Sequence, residues 1–205
     1  TPLGFRVAWN EFPSGPPLLE ALNAGAVDFG QSGETPPVFA QAAGVPFVYV
    51  AHEPPAPQGE AILVPRASPI RTLADLRGKK VALNKGANVH FLLVRALEHA
   101  GLKYSEITPV FLAPADARAA FERGAVDAWV IWDPFLAAAQ AATSAATLID
   151  ATGLAPNRQY YFAAQRFADA NPAAVDAIVA AIADVDHWVG GNETAVANEL
   201  SANIG

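Results

Sequence analysis

Ser32, Thr35, Asn88 and Asp133 are short polar side chains, each standing where a hydrophobic run gives way to a helix-forming stretch. Such a residue can cap the helix that follows by accepting a hydrogen bond from an unpaired first-turn amide. Alternatively, with those amides and the positive end of the helix dipole, it can hold a sulfonate, phosphate or carboxylate without any basic side chain. Both roles are open for any one of them, and the recurrence of the pattern at 31–36, 84–89, 113–116 and 132–134 favours a shared site. Glu34 and Asp133 raise a second chemistry, paired-carboxylate catalysis, but nothing in the chain supplies the nucleophile, leaving-group acid or metal it would need. His90 falls in the first turn of a helix. With four histidines and no regular His/carboxylate spacing, a polar contact to a ligand or plain exposure fits it better than metal ligation. Trp132 ends a strand and could wall a pocket against an alkyl chain, whereas Trp129 alternates to the opposite face, where core packing is the default.

The elements that must position these residues come in two copies. Gly25-Ala-Val-Asp28 returns 99 residues later as Gly124-Ala-Val-Asp127, and Ala40-Gln-Ala-Ala43 returns as Ala139-Gln-Ala-Ala142. Each copy reads as a short helix, a glycine stop, an apolar strand and a new helix opening at a proline, Pro36 or Pro134. Glu34 and Asp133 occupy equivalent places in the two copies. Apolar periodicity predicts strands over 5–12, 27–30, 45–51, 61–65, 79–83, 107–112, 128–132 and 160–164, with 45–51 covered on both faces. Helices are expected over 18–24, 36–43, 73–77, 89–100 and 115–123, from Pro134, from Pro172 and around 196–200. Thr35 is placed as the N-cap of the second, Thr72 of the third, and Asp133 before an N1 proline. The chain would cross between lobes near Pro65 and Tyr160, giving lobe I as 1–65 plus 161–205 and lobe II as 66–160. In an open α/β sheet the turns after strand ends share one edge, and two such edges would face each other across a cleft.

Composition narrows the class. Of 205 residues 52% are hydrophobic, enough for a substantial core, and the formal net charge of −7 argues against nucleic-acid binding and against a polybasic membrane surface. Cysteine is absent, which removes disulfides, thiolate metal sites and a cysteine nucleophile. No apolar run reaches the length of a bilayer span and no signal peptide is visible. Methionine is absent even at position 1, so the chain reads as a piece of a longer protein.

Ser32-Gly-Glu-Thr-Pro-Pro37, Asn84-Lys-Gly-Ala-Asn88, the run from Pro114 to Phe121 and Asp127-Ala-Trp-Val-Ile-Trp-Asp-Pro134 together resemble the periplasmic aliphatic sulfonate-binding proteins of ABC importers, within the nitrate/sulfonate/taurine class. The resemblance implies an α/β, two-lobed, periplasmic-binding-protein-like (type II) fold with two hinge crossings, short of the family's first lobe at both ends. It implies capture of an alkanesulfonate in the periplasm for an inner-membrane ABC permease, by a monomer without cofactor, metal or catalysis. By motif it carries ligand roles to Ser32, Gly33 and Glu34 on one lobe and to Gly86, Asn88, His90, Trp132 and Asp133 on the other; Thr35 joins them from the turn itself. Taurine, nitrate or a thiamine-precursor pyrimidine are alternative ligands. An enzyme on the same scaffold and an effector-sensing domain are the remaining readings.

Overall fold

The computed structural model describes residues 4–204. Helix α1 (Gly15–Asn23) leads into β1 (Phe29–Gly33), α2 (Thr35–Ala42) and β2 (Phe47–His52). A single helical turn precedes β3 (Glu60–Val64), another precedes β4 (Lys80–Leu83), and α3 (Asn88–His99), β5 (Thr108–Phe111), α4 (Pro114–Glu122), β6 (Ala128–Trp132), α5 (Phe135–Thr143) and β7 (Ala146–Asp150) follow. The chain ends with β8 (Gln159–Ala164), α6 (Gln165–Ala170), α7 (Pro172–Val189) and α8 (Glu193–Ile204).

The strands form two sheets, β1-β8-β2 and β5-β4-β6-β3-β7. In the smaller sheet β8 lies antiparallel between β1 and β2. In the larger, β4 runs parallel to β5 and β6, while β3 is antiparallel to both β6 and β7. The C-terminal ends of β4 and β6 therefore share an edge with the start of β3, and Glu60 pairs with Trp132 there.

Alternation along β6 separates two cores. Ala128 and Val130 pack towards α3 with Leu92, Leu93, Ala96 and Leu97, and Trp129 and Ile131 pack towards α4 and α5 with Ala117, Phe121 and Leu136. A third cluster of Leu18, Leu19, Leu22, Phe47 and Phe162 holds α1 to the smaller sheet. The repeated motif closes its helices in the same way twice. Gly25 (φ 77°) and Gly124 (φ 68°) take left-handed backbone. The next amides, Ala26 and Ala125, donate back to the carbonyls of Ala21 and Ala120 at 2.9 Å each.

Several expectations are corrected. Residues 6–12, expected as part of a strand over 5–12, take no regular secondary structure, and Trp9 is 91% exposed. The run expected to be covered on both faces is β2, an edge strand with Tyr49 exposed. Because β3 belongs to the larger sheet, the first crossing falls between β2 and β3, before Glu60, rather than near Pro65. The return crossing lies between β7 and β8, and β7 is a strand beyond those expected.

Candidate functional site

The two sheets meet at the turns after β1 and β4. The Thr35 amide donates to Oδ1 of Asn88 at 3.1 Å, and Nδ2 of Asn88 donates to Oδ1 of Asn157 at 3.1 Å. Asn157 donates in turn to the Ala56 carbonyl at 2.8 Å, so one buried carboxamide chain ties α2, α3 and both crossing segments together. Asn157 holds a left-handed backbone (φ 47°), which asparagine tolerates better than most residues. Next to it the Arg158 amide donates to Oε2 of Glu34 at 3.3 Å.

The polar turn residues do not all act as caps. Ser32 lies within β1, buried, and its hydroxyl donates to the Gly33 carbonyl at 3.1 Å. Thr35 is the first residue of α2 rather than its cap, a place taken by Glu34. Asn88 opens α3 after Ala87 and spends its side chain across the interface instead of on its own helix. Only Asp133 caps a turn: its Oδ1 accepts the Ala137 amide at 3.1 Å, although α5 starts two residues after it. Its own amide donates to the Gly59 carbonyl at 2.8 Å, which pins the end of β6 to the residue before β3.

Between the two helices, α3 is the one whose first turn keeps amides to offer. Pro36 and Pro37 remove two amides from the first turn of α2, and Thr35 has already donated its own. The amides of Asn88 and Val89 stand in the first turn of α3, where no intrahelical acceptor exists. Packing here is tight: a Cβ at Gly33 would fall inside the Asn88 carboxamide, and one at Gly15 would sit 2.8 Å from Cβ of Ser32. Gly86, with φ 78°, faces Pro16 at the start of α1, so three helix N-termini converge.

His90 turns its ring away towards Tyr104 and Phe111, at 5.6 and 5.8 Å between centroids, while Nδ1 accepts the Gly86 amide at 3.2 Å. Burial, with Lys85 nearby, lowers its pKa and favours the neutral ring this bond requires. Trp132 sits half-buried at the meeting of two cores, edge-on to Phe135 at 6.2 Å. The turn at 113–116 is tied to Asn84, whose Nδ2 donates to the Leu112 carbonyl at 3.4 Å.

Three residues were missed. Asn157 and Arg158 lie in a loop that carries no repeat or periodicity, so only its Pro-Asn-Arg composition hinted at a turn. Glu60 did leave a signal, as an acid directly before the apolar run of β3. It is fully buried, both carboxyl oxygens lack a hydrogen-bond partner, and burial plus the charge of Glu34 push its pKa up to about 8. Glu34 is also raised, chiefly by burial and against the lowering effect of the Arg158 and Asn157 amides.

Among the described residues no cluster of His, Asp and Glu has the arrangement of a metal site, and no helix is long and apolar enough to cross a membrane. Surface grooves along Val50 and Val179 and at Gly191–Asn198 lie away from the turns.

Two α/β units, crossed twice by the chain and apposed through helix N-termini, define a two-lobed fold of the periplasmic-binding-protein kind. Residues 4–189 match the NMT1/THI5-like family, and the chain belongs to it. A protein of Escherichia coli (strain K12) named for binding aliphatic sulfonates is 50% identical over 181 residues, 88% of this chain and 57% of the relative. The crystal structure of the periplasmic aliphatic sulphonate binding protein SsuA from Escherichia coli superposes with a TM-score of 0.81 at 48% identity, over 92% of this chain and 65% of that one. The alkanesulfonate-binding protein SsuA from Xanthomonas axonopodis pv. citri, bound to MOPS, gives 0.88 at 44% identity over 93% and 66%. The chain thus spans somewhat under two thirds of these relatives' length.

Proposed function

We propose that this protein is a periplasmic, monomeric substrate-binding protein that captures aliphatic sulfonates and presents them to an inner-membrane ABC permease. The observation that carries the reading is the convergence of the α2 and α3 N-termini on Asn88, in a chain 44–50% identical to proteins named for that ligand class. The first-turn amides of α3 and the side chains of Ser32, Thr35 and Asn88 take the anionic head, with Gly86 turning the chain into that helix. Gly33 lets the two units approach closely enough for this. Glu34 and Asp133 border the head site, Trp132 flanks the alkyl tail, and His90 acts through Gly86 by holding its amide. Residues 53–59 and 151–158 then serve as the hinge between lobes that close on the ligand. The relatives' names describe binding rather than turnover, and the protein is read as a receptor, not an enzyme.

Thermal unfolding against a panel of alkanesulfonates, taurine, sulfate, nitrate and a neutral pyrimidine tests this, since a ligand that binds only the folded state raises the midpoint. A rise confined to organic sulfonates is expected. A rise with the pyrimidine or nitrate alone would reassign the ligand, and turnover of any bound sulfonate would make the protein an enzyme.

A further inference from the structure

Glu60 opens β3 at the edge where β6 ends, directly opposite Trp132 in the antiparallel register. The residue before it, Gly59, accepts the Asp133 amide through its carbonyl at 2.8 Å, and a Cβ there would lie 3.3 Å from Nδ2 of Asn157. The Glu60 side chain is 0% exposed, and neither carboxyl oxygen has a hydrogen-bond partner. Leaving an ionised carboxylate in that state is costly, and a buried polar group without a partner is unusual enough to call for one.

The charged and titratable groups around it narrow what the partner is. Glu34, from the cap of α2, acts on it electrostatically. Its own Oε1 is also buried without a partner, while Oε2 takes the Arg158 amide. Asp133, beyond β6, is occupied by the Ala137 amide, and Asp150, at the end of neighbouring β7, takes the Thr152 amide at 2.8 Å. His90, on α3, is turned to Tyr104 and Phe111. Arg158 is the cation of the group, and its guanidinium donates to the Glu53 carbonyl at 3.4 Å. Burial first, and then the charge of Glu34, favour the protonated form of Glu60, and a carboxylic acid has one O–H to donate. Two ionised carboxylates beside a sulfonate would repel it; one neutral acid offers it a hydrogen bond.

We propose that Glu60 is a ligand-contacting residue whose carboxylic O–H donates to a sulfonate oxygen, so that binding is linked to a proton held at this site. The proposal rests on the receptor reading above. It assigns to β3 a specificity role: a strong acceptor without a proton of its own, such as an alkanesulfonate, is favoured over ligands that bring a cationic nitrogen to the same place.

The test is calorimetric titration of the intact protein with butanesulfonate, which has no amine, from about pH 6 to about pH 10, for wild type, Glu60→Gln and Glu60→Ala. Wild-type affinity should hold level to about pH 8 and then fall about tenfold per unit, with proton uptake seen as a buffer-dependent binding heat. Glu60→Gln, which keeps a donor but does not titrate, should bind within severalfold of wild type with a flat profile, and Glu60→Ala should lose at least about tenfold at pH 7. If Glu60→Ala fails to fold, the wild-type buffer dependence and the Glu60→Gln profile decide alone. A flat wild-type profile overturns the proposal while leaving the receptor reading intact. Affinity that rises with pH and demands an amine in the ligand also overturns it, since Glu60 would then be a counter-ion. Folded wild type that binds no sulfonate at any pH overturns both.

Discussion

The Thr35 amide and the Asn88 carboxamide, 3.1 Å apart, join the first turns of two helices that belong to different sheets. Asn88 is the residue through which the smaller sheet feels the larger one, because its other end reaches Asn157 in the returning segment. Asn88→Ala removes both bonds and leaves a part-buried amide at Thr35 unsatisfied. It should cost about 1–3 kcal/mol of stability, measured by chemical denaturation, and weaken sulfonate binding in calorimetry. A variant as stable as wild type would mean that the interface is held elsewhere.

Gly33 matters for space rather than for backbone freedom. A methyl group there would occupy the position of the Asn88 carboxamide, which is buried and fixed at both ends. Gly33→Ala should therefore keep the two units apart, costing about 1–3 kcal/mol of closure, equivalent to about five- to two-hundredfold in affinity. Solution scattering with saturating ligand would show it as a larger radius of gyration than wild type. Equal radii and equal affinity would show that Asn88 can step aside.

The repeat and its glycine stops were legible because they are local: Gly25 and Gly124 each follow a helix whose last carbonyls need a donor, and the next amide supplies it. Most element boundaries followed from the same rules, and β6 was read at its observed limits. What failed depended on contacts remote in sequence. Alternation at Phe5, Val7 and Trp9 satisfies a strand pattern but says nothing of the strand that must lie beside it, and residues 6–12 join neither sheet. For Asn88 a cap and a ligand contact were equally open, since both are local uses of asparagine, whereas its acceptor and donor are employed by Thr35 and by Asn157, far away along the chain. Glu60 was passed over since an acid at a strand start is ordinarily solvated; only the fold buries it, paired with Trp132 across the sheet and within reach of the Glu34 charge.

Glu60 also sets a pH dependence of stability. Its folded pKa of about 8 lies above the ordinary 4.5, so the native state holds the proton more tightly than the unfolded chain. The sign follows: no penalty below about 4.5, a penalty growing as pH rises towards about 8, and no further change above it. Each unit in that window costs about 1.4 kcal/mol at most. Glu60→Gln should remove this slope, so the difference in melting temperature between the variant and wild type should move in the variant's favour from pH 5 to pH 8. Parallel curves would mean that Glu60 ionises freely in the folded protein.

Trp132 provides the last test, of how the tail is read. It lies half-buried where two cores meet and stands edge-on to Phe135, so shortening it removes apolar surface from the site as well as from the fold. Stability alone therefore cannot reveal its role, and the informative quantity is how the loss depends on ligand length. Each methylene in contact with an apolar wall is worth up to about 0.8 kcal/mol, about fourfold in affinity. With wild type, affinity should climb from methanesulfonate to pentanesulfonate; with Trp132→Leu, chosen to spare the core, the climb should flatten while methanesulfonate binding is nearly unchanged. A loss equal for every chain length would show that Trp132 supports the head site through the end of β6 and Asp133, and that the tail lies against another surface.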